Sequence, residues 1–229
     1  MSEKDSVFKR KEGKIIVTLF FIVVVFLIIL NIWDSHHPSE TGTGDFRTSW
    51  ELVLVNKQNR LPADYKVRLK EFGNSQSVDK RIYPSLKKMF RAAERKGMNS
   101  VVASSYRTGN SQKQIYRERI KTYIEQGYSK KEAVSMTDML VAKPDYSEHQ
   151  TGLAVDINPL ENDGGKLYEW LNSNSYKYGF IVRYPEGKSD ITGIDHEPWH
   201  FRYVGKTAAK YIYRHNLTLE EYVAAQEIS

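Results

Sequence analysis

The sequence predicts an α+β domain, an antiparallel sheet with flanking helices, preceded by one N-terminal transmembrane helix. Three observations lead there. An apolar run of 19 residues lies near the start of the chain. Two later stretches alternate apolar and polar residues with the period of a half-buried strand. The helical patterns around them do not alternate regularly with strands, as a parallel βαβ sheet would require.

The elements follow in order. Ile15 to Leu30 is apolar except for Thr18, and Asn31-Ile32-Trp33 completes the run. At about 1.5 Å per residue it spans roughly 28 Å, close to the hydrocarbon thickness of a bilayer. Five basic residues precede it and no Lys or Arg follows until Arg47, which puts the N-terminus in the cytoplasm and the rest outside. No alanine occurs before Ala63, so a small-residue cleavage site for a signal peptide is missing. The expected division is a cytoplasmic tail (1–14), a membrane anchor (15–33), a polar tether (34–48) and an extracytoplasmic domain (49–229). His36 and His37 fall in the tether, where a solvated pair is expected.

Within the domain, Leu52 to Lys57 reads as a buried strand and Leu61 to Tyr65 as a turn. Ile82, Leu86, Met89, Phe90 and Ala93 recur at helical spacing before Gly97. Val101-Val102-Ala103 reads as a strand delivering Ser104 to Arg107. Ser111 to Gln126 is helical, and Ser129 with Glu132 forms a capping-box pattern that opens a helix toward Leu140. Leu153, Val155 and Ile157 alternate with Ala154, Asp156 and Asn158. Leu167 to Tyr178 is expected to be a helix ended by Gly179, and Phe180 to Tyr184 a strand. Trp199, Phe201 and Tyr203 alternate with His200, Arg202 and Val204, so His200 and Arg202 share a face. Thr207 to Arg214 and Thr218 to Ala225 close the chain as helices.

Composition narrows the chemistry. The hydrophobic (40%) and charged (27%) fractions are those of a folded protein. The net charge of +6 is spread without a dense Lys/Arg block, so no nucleic-acid partner is expected; a neighbouring anionic envelope surface fits better. The chain has no cysteine. Disulfides, thiolate ligands and cysteine nucleophiles are therefore excluded, and any metal must be held by His, Asp or Glu.

Two stretches carry such residues: Ser147 to Asn158, with His149 and Asp156, and Glu197 to Val204, with Glu197 and His200. Asp156 is a charge inside an apolar strand, and His200 lies between Trp199 and Phe201. Burying them without partners would be costly. One reading is a metal site: three N/O ligands with an open position for water is the layout of catalytic zinc, with a nearby carboxylate as general base. The other is a pair of hydrogen-bonded histidines with Asp156 in a salt bridge to Arg183 or Arg202. Residue spacing leaves both open.

Ser147-Glu148-His149-Gln150-Thr151-Gly152-Leu153-Ala154-Val155-Asp156 and Glu197-Pro198-Trp199-His200-Phe201-Arg202-Tyr203-Val204 resemble the two signature blocks of VanY-type D-alanyl-D-alanine carboxypeptidases. Ser105-Tyr106-Arg107 with Gln112 resembles the family's upstream substrate block, and Ile191 to Ile194 also fits. The resemblance covers roughly residues 50–205. It implies the α+β fold shared by D-Ala-D-Ala peptidases and Hedgehog-like domains. It implies Zn2+ held by His149, Asp156 and His200, Glu197 as the base that activates the attacking water, and Arg107 at the scissile carbonyl. Gln112 and Ser147 match positions that hold the terminal D-residue. The implied substrate is the peptidoglycan stem peptide, met on the outer side of a bacterial cell membrane. Neighbouring activities on the scaffold are L,D-carboxypeptidase and cross-link endopeptidase, and a non-catalytic wall-binding domain is the reading from another class. His196 departs from the pattern, which has an aromatic there; hydrogen bonding to substrate or no role is expected of it rather than ligation. Arg183 and Arg202 are spare cations, expected in structural ion pairs.

Overall fold

The computed structural model describes residues 49–162 and 165–227. The tail, the candidate anchor and the tether, with His36 and His37, lie outside them. Among the described residues no helix is long and apolar enough to cross a membrane.

The domain is α+β, as expected. After a short 3-10 turn at Trp50–Leu52 comes a hairpin of β1 (Leu69–Gly73) and β2 (Gln76–Asp79), then helix α1 (Tyr83–Glu94). Strand β3 (Ser100–Ser104) precedes helices α2 (Gly109–Glu125) and α3 (Lys130–Leu140). A 3-10 turn at Glu148–Thr151 feeds β4 (Ala154–Pro159), followed by α4 (Lys166–Asn174), β5 (Phe180–Tyr184), a one-turn α5 (Ser189–Thr192) and β6 (Glu197–Tyr203). Helices α6 (Lys206–His215) and α7 (Leu219–Glu227) end the described chain. The main sheet has the order β3-β4-β6-β5, and every neighbouring pair is antiparallel.

The two faces of this sheet have different jobs. Val102, Val155, Ile157, Phe180, Phe201 and Tyr203 point to one side and pack with Leu86, Met89 and Ala93 of α1 and Leu167 and Leu171 of α4. Burying a side chain such as Phe201 stabilises the fold by about 1.5–3 kcal/mol. The period of two then sends Asp156, Arg183, His200 and Arg202 to the other side. There Ile181 joins a second apolar cluster with Ala209, Ile212 and Leu219 from α6 and α7. One face builds the core, and the other carries the chemistry.

Local signals explain the starts of α2 and α3. Ser129 accepts from the Glu132 backbone N–H while the Glu132 carboxylate accepts from the Ser129 N–H, completing the capping box at α3. Thr108 caps α2 by accepting from Ser111 N, which starts that helix two residues before the expected Ser111.

Two expectations are corrected, and one element goes beyond them. Leu52 to Lys57 forms no strand. Val55 is buried and Leu52, Val53 and Leu54 are partly buried, but the carbonyls of Glu51 and Val53 accept from Arg202 Nη2 at 2.9 and 2.8 Å instead of from a neighbouring strand. The β1–β2 hairpin was not anticipated; its turn is formed by Asn74 and Ser75, both with positive φ, right after Gly73. The helix expected from Leu167 to Tyr178 is an α-helix only to Asn174, and Ser175–Tyr178 tightens into a 3-10 turn closed by Gly179.

Candidate active site

The sheet itself brings two of the predicted residues together. Asp156 on β4 stands directly opposite His200 on β6 in the antiparallel register, so both side chains leave the same face as neighbours. Asp156 Oδ1 lies 3.0 Å from His200 Nδ1. His149 comes from the 3-10 turn just before β4, and its Nε2 lies 3.4 Å from Asp156 Oδ2. That turn closes at Gly152, whose φ of +69° and 3.0 Å approach of a would-be Cβ to the Asp79 backbone nitrogen leave no room for a side chain.

The His149 ring is fixed from behind, and the His200 ring faces a buried carboxylate. His149 Nδ1 meets the carbonyl of Ser105 at 2.8 Å; a carbonyl can only accept, so Nδ1 carries the proton and Nε2 presents its lone pair. His200 Nε2 points at the Glu148 carboxylate, 3.7 Å away, leaving Nδ1 toward Asp156. Glu148 is fully buried, and its Oε1 accepts from Arg183 Nε at 2.7 Å and Arg202 Nη1 at 2.8 Å. Arg183 also grips Glu220 of α7 with two bonds. The spare cations are thus structural, and they pair with Glu148 rather than with Asp156.

Three donor atoms from His149, Asp156 and His200 lie within 4.8 Å of one another. The separations of 3.0 and 3.4 Å run to different oxygens of Asp156, Oδ1 toward His200 and Oδ2 toward His149, so the carboxylate sits between the two histidines. Asp156 Oδ1 is buried with no hydrogen-bond partner, which a shared cation would remedy. The residues fit a zinc ion.

Electrostatics agree. Burial alone would raise the Asp156 carboxyl, but the two histidines override it and hold it well below the usual range. Burial lowers His149. For His200 burial also acts downward, yet the contacts to Asp156 and Glu148 win and push it up to about 9 in the metal-free protein. Glu197 stands with Oε2 3.6 Å from His200 Nδ1, and burial raises its carboxyl, making it a stronger base.

These groups line a cavity of about 200 Å3 that also contains Arg107, Gln112, Ser147, Tyr184 and Trp199. Arg107 Nη2 lies 3.8 Å from Asp156 Oδ2, and its Nη1 donates to Gln112 Oε1 at 3.0 Å. Arg107 Nε is buried without a partner. Gln112 spends one amide N–H on the Ala142 carbonyl, so it holds Arg107 in place besides facing the cavity. Ser147 is buried at the cavity wall. His196 does not join the cluster; its Nδ1 is 2.9 Å from the Tyr184 carbonyl. Glu148 was not singled out from the sequence. Its signal was a charge next to a ligand histidine, with two further arginines on apolar strands needing a counter-charge.

Comparison with known proteins identifies the chemistry. The family model VanY, described as D-alanyl-D-alanine carboxypeptidase, matches residues 75–206. A D-alanyl-D-alanine carboxypeptidase of Enterococcus faecalis is 46% identical over 180 residues, covering 78% of this chain and 67% of that protein. The crystal structure of a mutant of the vancomycin resistance D,D-pentapeptidase VanY from a VanB-type resistance cassette, in complex with Zn(II), has a TM-score of 0.73. It is 47% identical and covers 76% of this chain and 99% of its own. VanYB in complex with D-alanine-D-alanine gives 0.74 at 47% identity, covering 76% and 98%. This chain therefore belongs to the VanY family: it is a zinc-dependent D-alanyl-D-alanine carboxypeptidase, and its His–Asp–His cluster could hold the metal.

Proposed function

We propose that the chain is a membrane-anchored D,D-carboxypeptidase, single-pass with its N-terminus cytoplasmic. It removes the C-terminal D-Ala from peptidoglycan stem peptides on the outer side of the membrane. His149, Asp156 and His200 hold Zn2+, Glu197 is the general base, Arg107 faces the scissile carbonyl, and Gln112 and Ser147 seat the terminal D-residue. The observation that carries this reading is the cluster of ligand atoms from His149, Asp156 and His200 within 4.8 Å of one another, with Asp156 Oδ1 buried without a hydrogen-bond partner. The anchor and its orientation are supported by the 19-residue apolar run and the basic residues before it.

When bound, zinc supplies a Lewis acid that polarises the scissile carbonyl and acidifies a nearby water. Glu197 takes a proton from the attacking water as its oxygen bonds to the carbonyl carbon. Arg107 donates to the carbonyl oxygen as negative charge develops there. When the C–N bond breaks, Glu197 returns the proton to the leaving amine, releasing free D-Ala and a shortened peptide. The walls of Gln112, Ser147, Tyr184 and Trp199 orient the chain end in the cavity.

The test is metal analysis of the full chain with mass spectrometry of products from defined tri-, tetra- and pentapeptide muropeptides. The expected result is one zinc per chain and loss of a single D-Ala from pentapeptides. Cleavage of tetrapeptides instead identifies an L,D-carboxypeptidase, and cleaved dimers an endopeptidase. Absence of turnover on all of them would leave a wall-binding domain.

A further inference from the structure

We propose that the α1 side of the domain docks on an anionic phospholipid surface and so turns the cleft away from the bilayer. This rests on the anchored reading above, since an anchor keeps the domain beside a membrane.

The positive charge is concentrated in one segment of the chain, most of which folds into the β1–β2 hairpin and α1. Between residues 66 and 96 lie ten lysines and arginines against three acidic residues, Glu71, Asp79 and Glu94. That surplus of seven accounts for the entire +6 of the chain, so the remainder is close to neutral. All ten basic residues are exposed. On α1, Lys87, Lys88 and Arg91, with Arg95 at its C-cap, fall at helical spacing on the face opposite the buried Leu86, Met89 and Ala93. The hairpin joins this stripe: Phe72 packs edge-on against Tyr83 and Phe90, and Lys70 Nζ sits 4.2 Å over the Tyr83 ring, with Lys87 Nζ 5.9 Å from the same ring.

Two features select a membrane surface over a soluble polyanion. First, the stripe borders a hollow of about 280 Å3 lined by Lys87, Phe90, Arg91, Glu94, Met98 and Leu160. Leu160 there is 62% exposed. A phosphodiester polymer in water gains nothing from an exposed leucine, whereas the interface of a bilayer accepts basic and apolar groups side by side. Second, α1 covers the core face of the sheet, while Asp156 and His200 project from the opposite face. Docking through α1 therefore leaves the cleft unobstructed and directed outward, toward stem peptides of the wall.

The chain has no native cysteine, so single labels are available. Full-length protein carrying a nitroxide at Leu160→Cys, or as a control at the exposed Gln114→Cys on α2, is reconstituted into vesicles. These contain phosphatidylcholine alone or mixed with phosphatidylglycerol. Collisions of the label with oxygen and with an aqueous nickel chelate are compared. The expected result is a shift toward oxygen at 160 and none at 114, only in the anionic vesicles. The shift is lost in high salt, where screening shortens to ~3 Å at 1 M. It is also lost in the Lys87→Glu, Arg91→Glu double variant, with zinc content and melting temperature unchanged. A label at 160 equally exposed to water in both vesicles overturns the proposal. So does a label that ignores vesicles but is immobilised by soluble poly(glycerol phosphate), which would make the partner a polymer. Co-sedimentation with phosphatidylcholine vesicles reports the anchor and D-Ala release reports the activity, so each reading fails by its own measurement.

Discussion

Replacing Glu148 with Gln tests how the site is held from behind. The carboxylate lies at 0% side-chain exposure between Arg183 and Arg202, both also at 0%. Removing its charge leaves two buried guanidiniums with only Glu220 to balance them. Breaking a buried pair by deleting one partner costs ~3–5 kcal/mol. Gln keeps the shape and an acceptor oxygen, so the lower end applies, about 3 kcal/mol, a large fraction of a typical domain stability. For a domain of this size that lowers the melting temperature by roughly 6–12 °C. The loss should depend on pH. Burial alone would raise the Glu148 carboxyl, but Arg183 and Arg202 hold it well below the usual range. Its stabilisation is therefore present above about pH 4.3 and lost as pH falls, so the variant and parent converge in acid. His200 Nε2 also loses its carboxylate partner, which should weaken zinc binding by ~10–100-fold. Urea unfolding of the metal-free protein and competition with a zinc chelator measure the two effects. A stability loss under about 1 kcal/mol refutes the buried-pair argument. Unchanged zinc affinity refutes the role in orienting His200.

Other expectations follow from the same geometry. Glu197→Gln should lower kcat by ~10²–10⁴-fold while zinc content stays at that of the parent, because its carboxylate is not among the clustered donors; full activity in this variant would remove Glu197 from the mechanism. Arg107→Gln should lower kcat by ~10²–10³-fold with a smaller change in KM, the split that separates a donor to the developing oxyanion from one that only binds the ground state. Since His200 is pushed up to about 9 in the metal-free protein, zinc uptake near pH 7.5 should release about one proton, read by calorimetry in buffers of different ionisation enthalpy. For the same reason the metal-free protein should lose stability as pH rises from about 6.5 through about 9, a trend that zinc abolishes.

What could be read in advance depended on whether the signal was local. Strand alternation placed Asp156 and His200 on one polar face, and antiparallel pairing then made them neighbours. The Ser129–Glu132 capping box and the spacing of Leu86, Met89 and Ala93 gave α3 and α1 directly. The stretch after Trp50 defeated the same logic, because an apolar run does not say what will satisfy its carbonyls; here it is a guanidinium from β6. The β1–β2 turn was legible in Gly73-Asn74 but lay between segments too polar to read as strands. Glu148 required knowing that Arg183 and Arg202 converge from β5 and β6, a fact about sheet order that no spacing encodes. The surplus of charge between residues 66 and 96 was legible but forms no contiguous Lys/Arg block, and only the helical repeat and the hairpin show which of its cations share a face.

The bonds of Arg202 to Glu51 and Val53 join positions 151 and 149 residues apart, and Asn56 reaches Glu220 over 164. A chain emerging N-terminus first cannot close any of these until nearly all of it has been made. Long closures are slow, because their entropy must be spent before the contacts return it. The segment after Trp50 should therefore wait as an exposed apolar strap, and the pocket with its metal should be among the last parts to assemble. Before that step the newly delivered chain would be vulnerable to aggregation and proteolysis, and zinc would act as a late lock that pulls the final arrangement into place.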